Sequence, residues 1–402
     1  MKIKIEKGKA KGEIIAPPSK SMAHRLLIAA ALAKGTSTVC GISNCEDVLA
    51  TIDCLTALGA KFDIKGNKAV VYGGDFKKSK AVKPLFCRES GSTLRFLIPV
   101  ALLSGNKTVF SGADGLMCRP MSVYEQLSAK KGFIYIKQNN EISICGPLTS
   151  GEYTLPGNIS SQFISGLLFA LPLVEGDSII RLTTQVESRS YIDLTIEALH
   201  TFGVSIVWKD EQTLQIKGGQ AYKNTDVTVE GDASGAAFTD ALNLFGGTVK
   251  VSGLNPNSIQ GDSIYKNLFL KLSAGRPTIS ISNCPDLAPI LFAVAAAKNG
   301  GTFLDTERLK IKESDRATTM AKELSKFGAK VTINKNSVVI EPSKLHTPKN
   351  TLYGHNDHRI VMALSVLCTI FGGEIDGAEA VAKSYPTFFH HLRHLGIEVK
   401  ER

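Results

Sequence analysis

The sequence predicts an α/β fold in which one supersecondary unit is used six times, three copies in each of two domains. Three observations carry that expectation. Six short polar clusters, beginning at Pro18, Glu89, Asn158, Gly231, Asn283 and Asn356, each precede a run of small and apolar residues closed by a glycine. The closing residues Gly35, Gly105, Gly176, Gly246, Gly300 and Gly372 are spaced by 70, 71, 70, 54 and 72. In phase with them, amphipathic stretches such as CLTALGAKF, ALHTFGVSI, ELSKFGAKV and HLRHLGIEV end at Gly59, Gly132, Gly203, Gly275, Gly328 and Gly396. Self-similarity at a fixed period marks one unit reused.

Each unit opens on a capping-type residue followed by about a dozen residues rich in Ala, Leu, Ile and Val. A helix apolar on nearly every side is a buried helix, and glycine ends it as a C′ residue. β-type residues follow (TSTVCG, NKTVFSG, DSIIRL, GTVKVSG, GTFLDT, GEIDGA), then the amphipathic helix. Hairpins such as AKFDIKGNKAVVYG and AKVTINKNSVVIEP complete the unit, with turn residues at their centres. The order is helix, strand, helix, strand, strand. A sequential solenoid is one arrangement of such units. Fully apolar helices alternating with amphipathic ones suit a closed domain better, with the apolar helix inside and strands outside. The single 54-residue step predicts a shortened hairpin within the second domain.

Composition narrows the function classes. With 402 residues, 43% hydrophobic and 21% charged, the chain reads as a soluble globular protein of two or three domains. Its longest apolar run, near Leu287 to Ala297, falls short of the roughly 18 residues of a membrane span. The start MKIKIEKGKAKGEI alternates lysine with isoleucine and predicts a strand. It has no continuous apolar core of the kind a signal peptide needs, so a cytoplasmic protein is expected. Eight cysteines show no CxxC pair and no zinc-finger spacing, which suggests free thiols in a reducing compartment. The net charge of +10 indicates either a solvated basic surface or attraction to an anion.

Helix N-termini expose unpaired N–H groups and a positive dipole end, so they suit phosphate and carboxylate. In PSKSMAHR, Lys20 and Ser21 flank a helix start, with Arg25 a turn further on the same side. In ESGSTLR, Gly91 permits close backbone approach, followed by Ser92, Thr93 and Arg95. Ser160, Ser161 and Gln162 form an uncharged donor cluster, Asp286 sits at the fifth start, and His358 and Arg359 at the sixth. Off these starts lie Arg119-Pro120, Lys383 in AKSYP, and KESDR, whose Lys312 and Arg316 fall at i,i+4 and are expected on one helix face. Singly, such a serine or aspartate is ordinarily a cap and such a pair ordinarily surface charge. Many cations with few carboxylates at recurrent helix starts favour an anion site. GxxxxGK[ST], GxGxxG and GxSxG motifs are missing. His355/His358 and His390/His391/His394 raise a metal reading, but no nearby Cys or Glu completes a ligand set, so no metal is expected.

PSKSxxxR, SGSTLRF, RPM, ISSQF, SxSYID, PDLAP, KESDR, NDHR and AKSYP occur in the order seen in the 5-enolpyruvylshikimate-3-phosphate synthase family, which the chain resembles over nearly its whole length. The resemblance implies a two-domain inside-out α/β barrel of six βαβαββ repeats. Residues 19–227 would form the N-terminal domain, and 1–18 with 228–402 the C-terminal domain. It implies transfer of the enolpyruvyl group of phosphoenolpyruvate to shikimate 3-phosphate with loss of phosphate. That step lies on the route to chorismate and aromatic amino acids, with no cofactor, by an enzyme acting as a monomer without nucleic acid or membrane. Carried over, Lys20, Ser21, Arg25, Ser160, Ser161, Gln162, Ser188, Tyr191, Asp286 and Lys312 would hold shikimate 3-phosphate. Lys20, Gly91, Arg119, Gln162, Arg316, Arg359 and Lys383 would hold phosphoenolpyruvate. Asp286, Glu313 and Lys20 would carry the acid–base chemistry, in a cleft between the domains. Two phosphates and two carboxylates demand this many cations.

Two departures from the family pattern stand out. Glu89-Ser90-Gly91-Ser92 replaces the frequent Asn-Ala-Gly-Thr, placing a carboxylate at an anion site near Arg88 and Arg95, so only Gly91 is assigned there. Arg308 stands where some relatives have an asparagine touching the shikimate ring. One rival is the sister transferase acting on UDP-N-acetylglucosamine, whose loop has a cysteine where this chain has Asp114, with Cys118 displaced to the position beside Arg119. The other is a basic repeat protein that binds nucleic acid, for which Asp286 and Glu313 would be unnecessary.

Overall fold

A computed structural model describes residues 1–402. The chain divides into two compact units, Lys20–Glu230 and Met1–Ser19 with Gly231–Arg402, each with its own apolar core.

In each unit the first helix of every repeat is the buried one. These inner helices are Lys20–Leu32, Gly91–Ala101 and Ser161–Ala170 in the first unit, and Ala233–Asp240, Ala288–Ala297 and His358–Phe371 in the second. Ala288–Ala297 is representative, with every residue but its last buried. Each fully buried Leu, Ile, Val or Phe contributes about 1.5–3 kcal/mol, so these helices need no polar face and get none. All six closing glycines have positive φ, from 69° at Gly105 to 100° at Gly35. A left-handed residue there lets the chain leave the helix for the next strand without a Cβ clash.

The strands lie outside in small sheets. In the first unit, Thr36–Cys40, Lys68–Tyr72 and Lys61–Lys65 form an antiparallel ladder, and Val227–Thr228 from the far end of the unit joins it in parallel. Two further four-stranded sheets centre on Thr108–Ser111 and Ser178–Leu182. The second unit repeats the plan with the chain start as a spare part. Lys2–Ile5, with Ile3 and Ile5 fully buried, pairs with Gly373–Asp376 and Val399–Glu401. Lys11–Ile15 runs parallel to Thr248–Ser252.

The short repeat differs from expectation. Its hairpin is absent rather than shortened. After the helix Tyr265–Ala274 the chain passes directly into Thr278–Ser280, which belongs to the next sheet, and Thr248–Ser252 keeps only one neighbour. The glycine closing the second helix has positive φ in five repeats, but Gly275 is extended at φ 175° because no strand must turn back there.

That contrast gives a direct test. A Cβ on Gly300 (φ 76°) would lie 2.4 Å from the Ile340 carbonyl oxygen, whereas one on Gly275 would meet nothing within 4 Å. Gly300→Ala is expected to cost at least about 2 kcal/mol in guanidinium unfolding. Gly275→Ala should be neutral or stabilise by roughly 0.5 kcal/mol.

Candidate active site

In the first unit the polar clusters gather into two groups. Lys20 begins its helix, and its Nζ lies 2.8 Å from Oδ2 of Asp47, a buried carboxylate in the first turn of Glu46–Ala57 that the sequence did not single out. Arg25 is buried beneath Phe96, and its guanidinium donates to Thr195 Oγ1 (2.8 Å), Ser21 O (2.6 Å) and Tyr191 O (2.8 Å). Burial brings its pKa down to about 10, so it remains charged. Ser188, just before Arg189–Thr201, is buried with φ 55°. Arg25 therefore ties Ser21 and Tyr191 together, two of the predicted residues from repeats far apart in sequence.

The second group surrounds Gly91. A Cβ there would sit 3.0 Å from Arg95 Nη1, 3.1 Å from Arg119 Nη1 and 3.4 Å from Gln162 Oε1. The missing side chain is what lets two guanidinium groups and an amide converge. Gln162 Oε1 accepts from Arg95 (2.7 Å) while its Nε2 donates to Ser92 (3.0 Å). Arg119 Nε is buried with no hydrogen-bond partner, aiming charge into the group. Ser90 caps the Gly91 helix through Thr93 N, and Ser160 caps the Ser161 helix through Gln162 N. Arg88 is held by Glu46 (2.5 Å) and Asp53 (2.8 Å), and Arg95 donates to Gln162.

The two groups share a buried support. His24 Nδ1 bonds Thr51 Oγ1 (2.7 Å), Thr51 bonds Thr93 Oγ1 (2.7 Å), and Thr93 donates to Ser90 Oγ (2.7 Å). Burial, with Lys20 and Arg25 adding to it, holds His24 well below its ordinary pKa, so the ring is neutral. This chain locks the starts of three helices in register.

In the second unit Asp286 occupies the centre. Arg316 Nη1 and Lys312 Nζ lie 2.7 and 3.4 Å from its Oδ1, and Arg359 Nη2 is 3.1 Å from Oδ2. Burial pushes Asp286 up, but Arg359, Lys312 and Arg316 outweigh it and hold the carboxyl well below the ordinary range. Lys312 is lowered to about 8 by burial, with Arg308 and Arg316 adding and Asp286 opposing. Arg308 is buried in the short turn Glu307–Ile311 just before Lys312. Lys312 and Arg316 do not share a helix face as expected: the helix begins at Arg316, with Asp315 as its cap, and Lys312 is extended. Two cations four apart on a helix would repel; here a loop and a common carboxylate bring them together.

Asp357 forms the second anchor. It caps His358–Phe371 through Arg359 N and accepts from Arg316 Nε (2.9 Å) and Ser314 (3.1 Å). Both partners of the Arg316–Asp357 pair are buried, and breaking such a pair costs about 3–5 kcal/mol. Glu313 Oε2 lies 2.9 Å from His358 Nδ1 and 3.9 Å from Lys383 Nζ, and Lys383 donates to Asn356 O (2.5 Å). Ligand atoms of Glu313, Asp357 and His358 lie within 4.8 Å of one another, so the fold does supply the Glu that the sequence reading found missing. Arg316 and Lys383 already neutralise these carboxylates, an environment that suits an anion better than a metal cation.

The geometry thus offers, in each unit, cations converging at helix starts with carboxylates beside them, Asp47 in the first and Asp286, Asp357 and Glu313 in the second. Comparison with known proteins identifies the family of the chain. Residues 5–392 match the family model for EPSP synthase (3-phosphoshikimate 1-carboxyvinyltransferase). The 3-phosphoshikimate 1-carboxyvinyltransferase of Clostridium acetobutylicum is 40% identical over 421 residues, covering 99% of this chain and 98% of that protein. The enzyme of the same name from Clostridium beijerinckii is 38% identical over 422 residues, covering 98% and 97%. EPSP synthase from Acinetobacter baumannii has the same fold, with a TM-score of 0.79 over 100% of both chains at 24% identity. The chain belongs to the EPSP synthase family.

Proposed function

We propose that this protein transfers the enolpyruvyl group of phosphoenolpyruvate to the 5-hydroxyl of shikimate 3-phosphate, releasing phosphate. The observation that carries the reading is the ionised Asp286 carboxylate, held by Arg316, Lys312 and Arg359. Three cations around one carboxylate are a resting arrangement that incoming anions can share. Shikimate 3-phosphate takes Lys20, Ser21, Arg25, Ser160, Ser161, Gln162, Ser188, Tyr191, Asp286 and Lys312. Phosphoenolpyruvate takes Lys20, Gly91, Arg119, Gln162, Arg316, Arg359 and Lys383.

The reaction is an addition followed by an elimination. The 5-hydroxyl loses its proton as its oxygen attacks C2 of phosphoenolpyruvate, and C3 gains a proton to become a methyl. The C2–O bond to phosphate then breaks while that methyl gives a proton back. In this reading Asp286 faces the reacting hydroxyl, and Glu313, bonded to His358, serves the methylene carbon, with Lys20 as the third proton-bearing group. A carboxylate held so far below its ordinary pKa is a weak base. Substrate anions that draw Arg316 and Arg359 toward themselves weaken that hold, so Asp286 becomes more basic once both substrates are bound. The reading also takes the enzyme as a cytoplasmic monomer that acts without a metal or organic cofactor. No helix is long and apolar enough to cross a membrane.

Phosphate release should occur with phosphoenolpyruvate plus shikimate 3-phosphate and not with UDP-N-acetylglucosamine; release only with the second acceptor would overturn the assignment. Asp286→Asn should lower turnover by about 10²-fold or more, and near-normal turnover would remove its role. Exhaustive chelation should leave the rate unchanged. A loss restored by a divalent cation would instead give Glu313, Asp357 and His358 to a metal. Lys312 is charged below about pH 8 and neutral above it. The kcat/KM for shikimate 3-phosphate should therefore fall as pH rises through that value, and Lys312→Arg, charged throughout, should lose the fall in a pH–rate profile.

A further inference from the structure

The sixth inner helix is preceded by a turn that its own residues disfavour. Gly354, His355, Asn356 and Asp357 form it, closed by a 2.9 Å bond from Asp357 N to Gly354 O. Both central residues have positive φ, 48° at His355 and 54° at Asn356. Asparagine tolerates that region, whereas a histidine there is held against the crowding of its own Cβ. Such a backbone persists only where its surroundings over-determine it. The entry to the turn is packed tight. Gly354 N donates to Asp376 O (2.7 Å), and a Cβ on Gly354 would lie 2.5 Å from Val361 Cγ2 and 2.8 Å from Gly377 O.

The restraint on the turn itself comes from Glu323, a fully buried carboxylate that none of the substrate assignments uses. Its Oε1 is hydrogen-bonded to His355 Nε2 (2.9 Å), and its Oε2 accepts from Tyr353 N (3.0 Å) and Lys326 Nζ (2.7 Å). Lys326 reaches on to Thr351 O (3.0 Å), which fastens the chain further upstream. Glu323 stands two turns after Arg316 on the helix Arg316–Ser325, on the same face. That face therefore grips one segment at two points. Glu323 takes Tyr353 and His355, and Arg316 takes Asp357 (2.9 Å). Between the two grips lies Asn356, whose carbonyl accepts from Lys383 Nζ (2.5 Å).

We propose that His355, tied to Glu323, is a positioning residue: it holds the turn in its left-handed form and so sets where Lys383 and Arg316 point for phosphoenolpyruvate. This rests on the reading of those two cations as ligands of that substrate. Rotation of the backbone at the turn would carry the Asn356 carbonyl away from Lys383. It would also shift Asp357, the carboxylate that aims Arg316. Cations already directed at an incoming anion bind it without first reorganising.

Steady-state phosphate release by His355→Ala, His355→Gly and Lys383→Ala tests this, with melting temperature as the check on folding. The two His355 variants lose the same bond but differ in backbone preference. Alanine keeps the Cβ crowding at φ 48° with no tie to offset it, whereas glycine adopts that conformation freely. His355→Ala should raise the KM for phosphoenolpyruvate roughly tenfold and leave the KM for shikimate 3-phosphate unchanged. His355→Gly should recover most of that loss. If His355→Ala does not fold, His355→Ser, which also keeps a Cβ and is too short to reach Glu323, takes its place. Wild-type KM values in His355→Ala, while Lys383→Ala raises the KM for phosphoenolpyruvate, would overturn the positioning role and leave the substrate reading standing. So would a fall in kcat alone, the mark of a merely structural loss, or equal rises in KM for both substrates. A glycine variant as impaired as the alanine one would overturn it too. Should Lys383→Ala leave the KM for phosphoenolpyruvate unchanged, the assignment of Lys383 falls, and the positioning role falls with it.

Discussion

The Asp286 carboxylate and the three cations it holds are the constraint on which the second unit's site depends. Lys312 and Arg316 come from one loop-to-helix segment and Arg359 from the sixth inner helix, and like charges do not gather in a buried space without a counter-charge. Asp286 supplies it from the start of the fifth inner helix. Asp357 supplies a second one from the start of the sixth, taking Arg316 on its other edge. Carboxylates at helix starts are favoured by the dipole, so the same residues that stabilise the helices also store the positive charge.

The first unit solves the same problem with less charge. Lys20 is balanced by Asp47, while Arg25 and Arg95 are satisfied by carbonyls, a hydroxyl and an amide oxygen. Their charge is therefore uncompensated and available to an anion. The buried His24–Thr51–Thr93–Ser90 chain keeps the helix starts in register beneath them. A neutral histidine is the appropriate end for such a chain, because a third buried cation beside Lys20 and Arg25 would have to be neutralised as well.

Six equivalent helix starts are put to unequal use. Five supply groups read as contacts for substrate, and the fourth serves the sixth by fixing Arg359. The repeat with the missing hairpin is that same fourth one. Repetition sets a common scaffold, and divergence at the first turn decides what each copy does.

What the sequence by itself determined was local and periodic. The apolar runs dictate buried helices because such a segment has no face to give to water, and the closing glycines dictate left-handed exits. Helix starts were therefore legible, and with them Lys20, Gly91, Ser160, Asp286 and Arg359. The 54-residue step was legible as a deletion, but not as the loss of both strands. Only the tertiary structure decided the pairings. Asp47 with Lys20, Ser234 with Arg359, Glu313 with His358, and the loop that joins Lys312 to Arg316 through Asp286 have no periodic signature. Hydrophobic spacing encodes which side of a helix is buried. It carries no record of which distant side chain will meet a buried charge, and that choice is made when the helices pack.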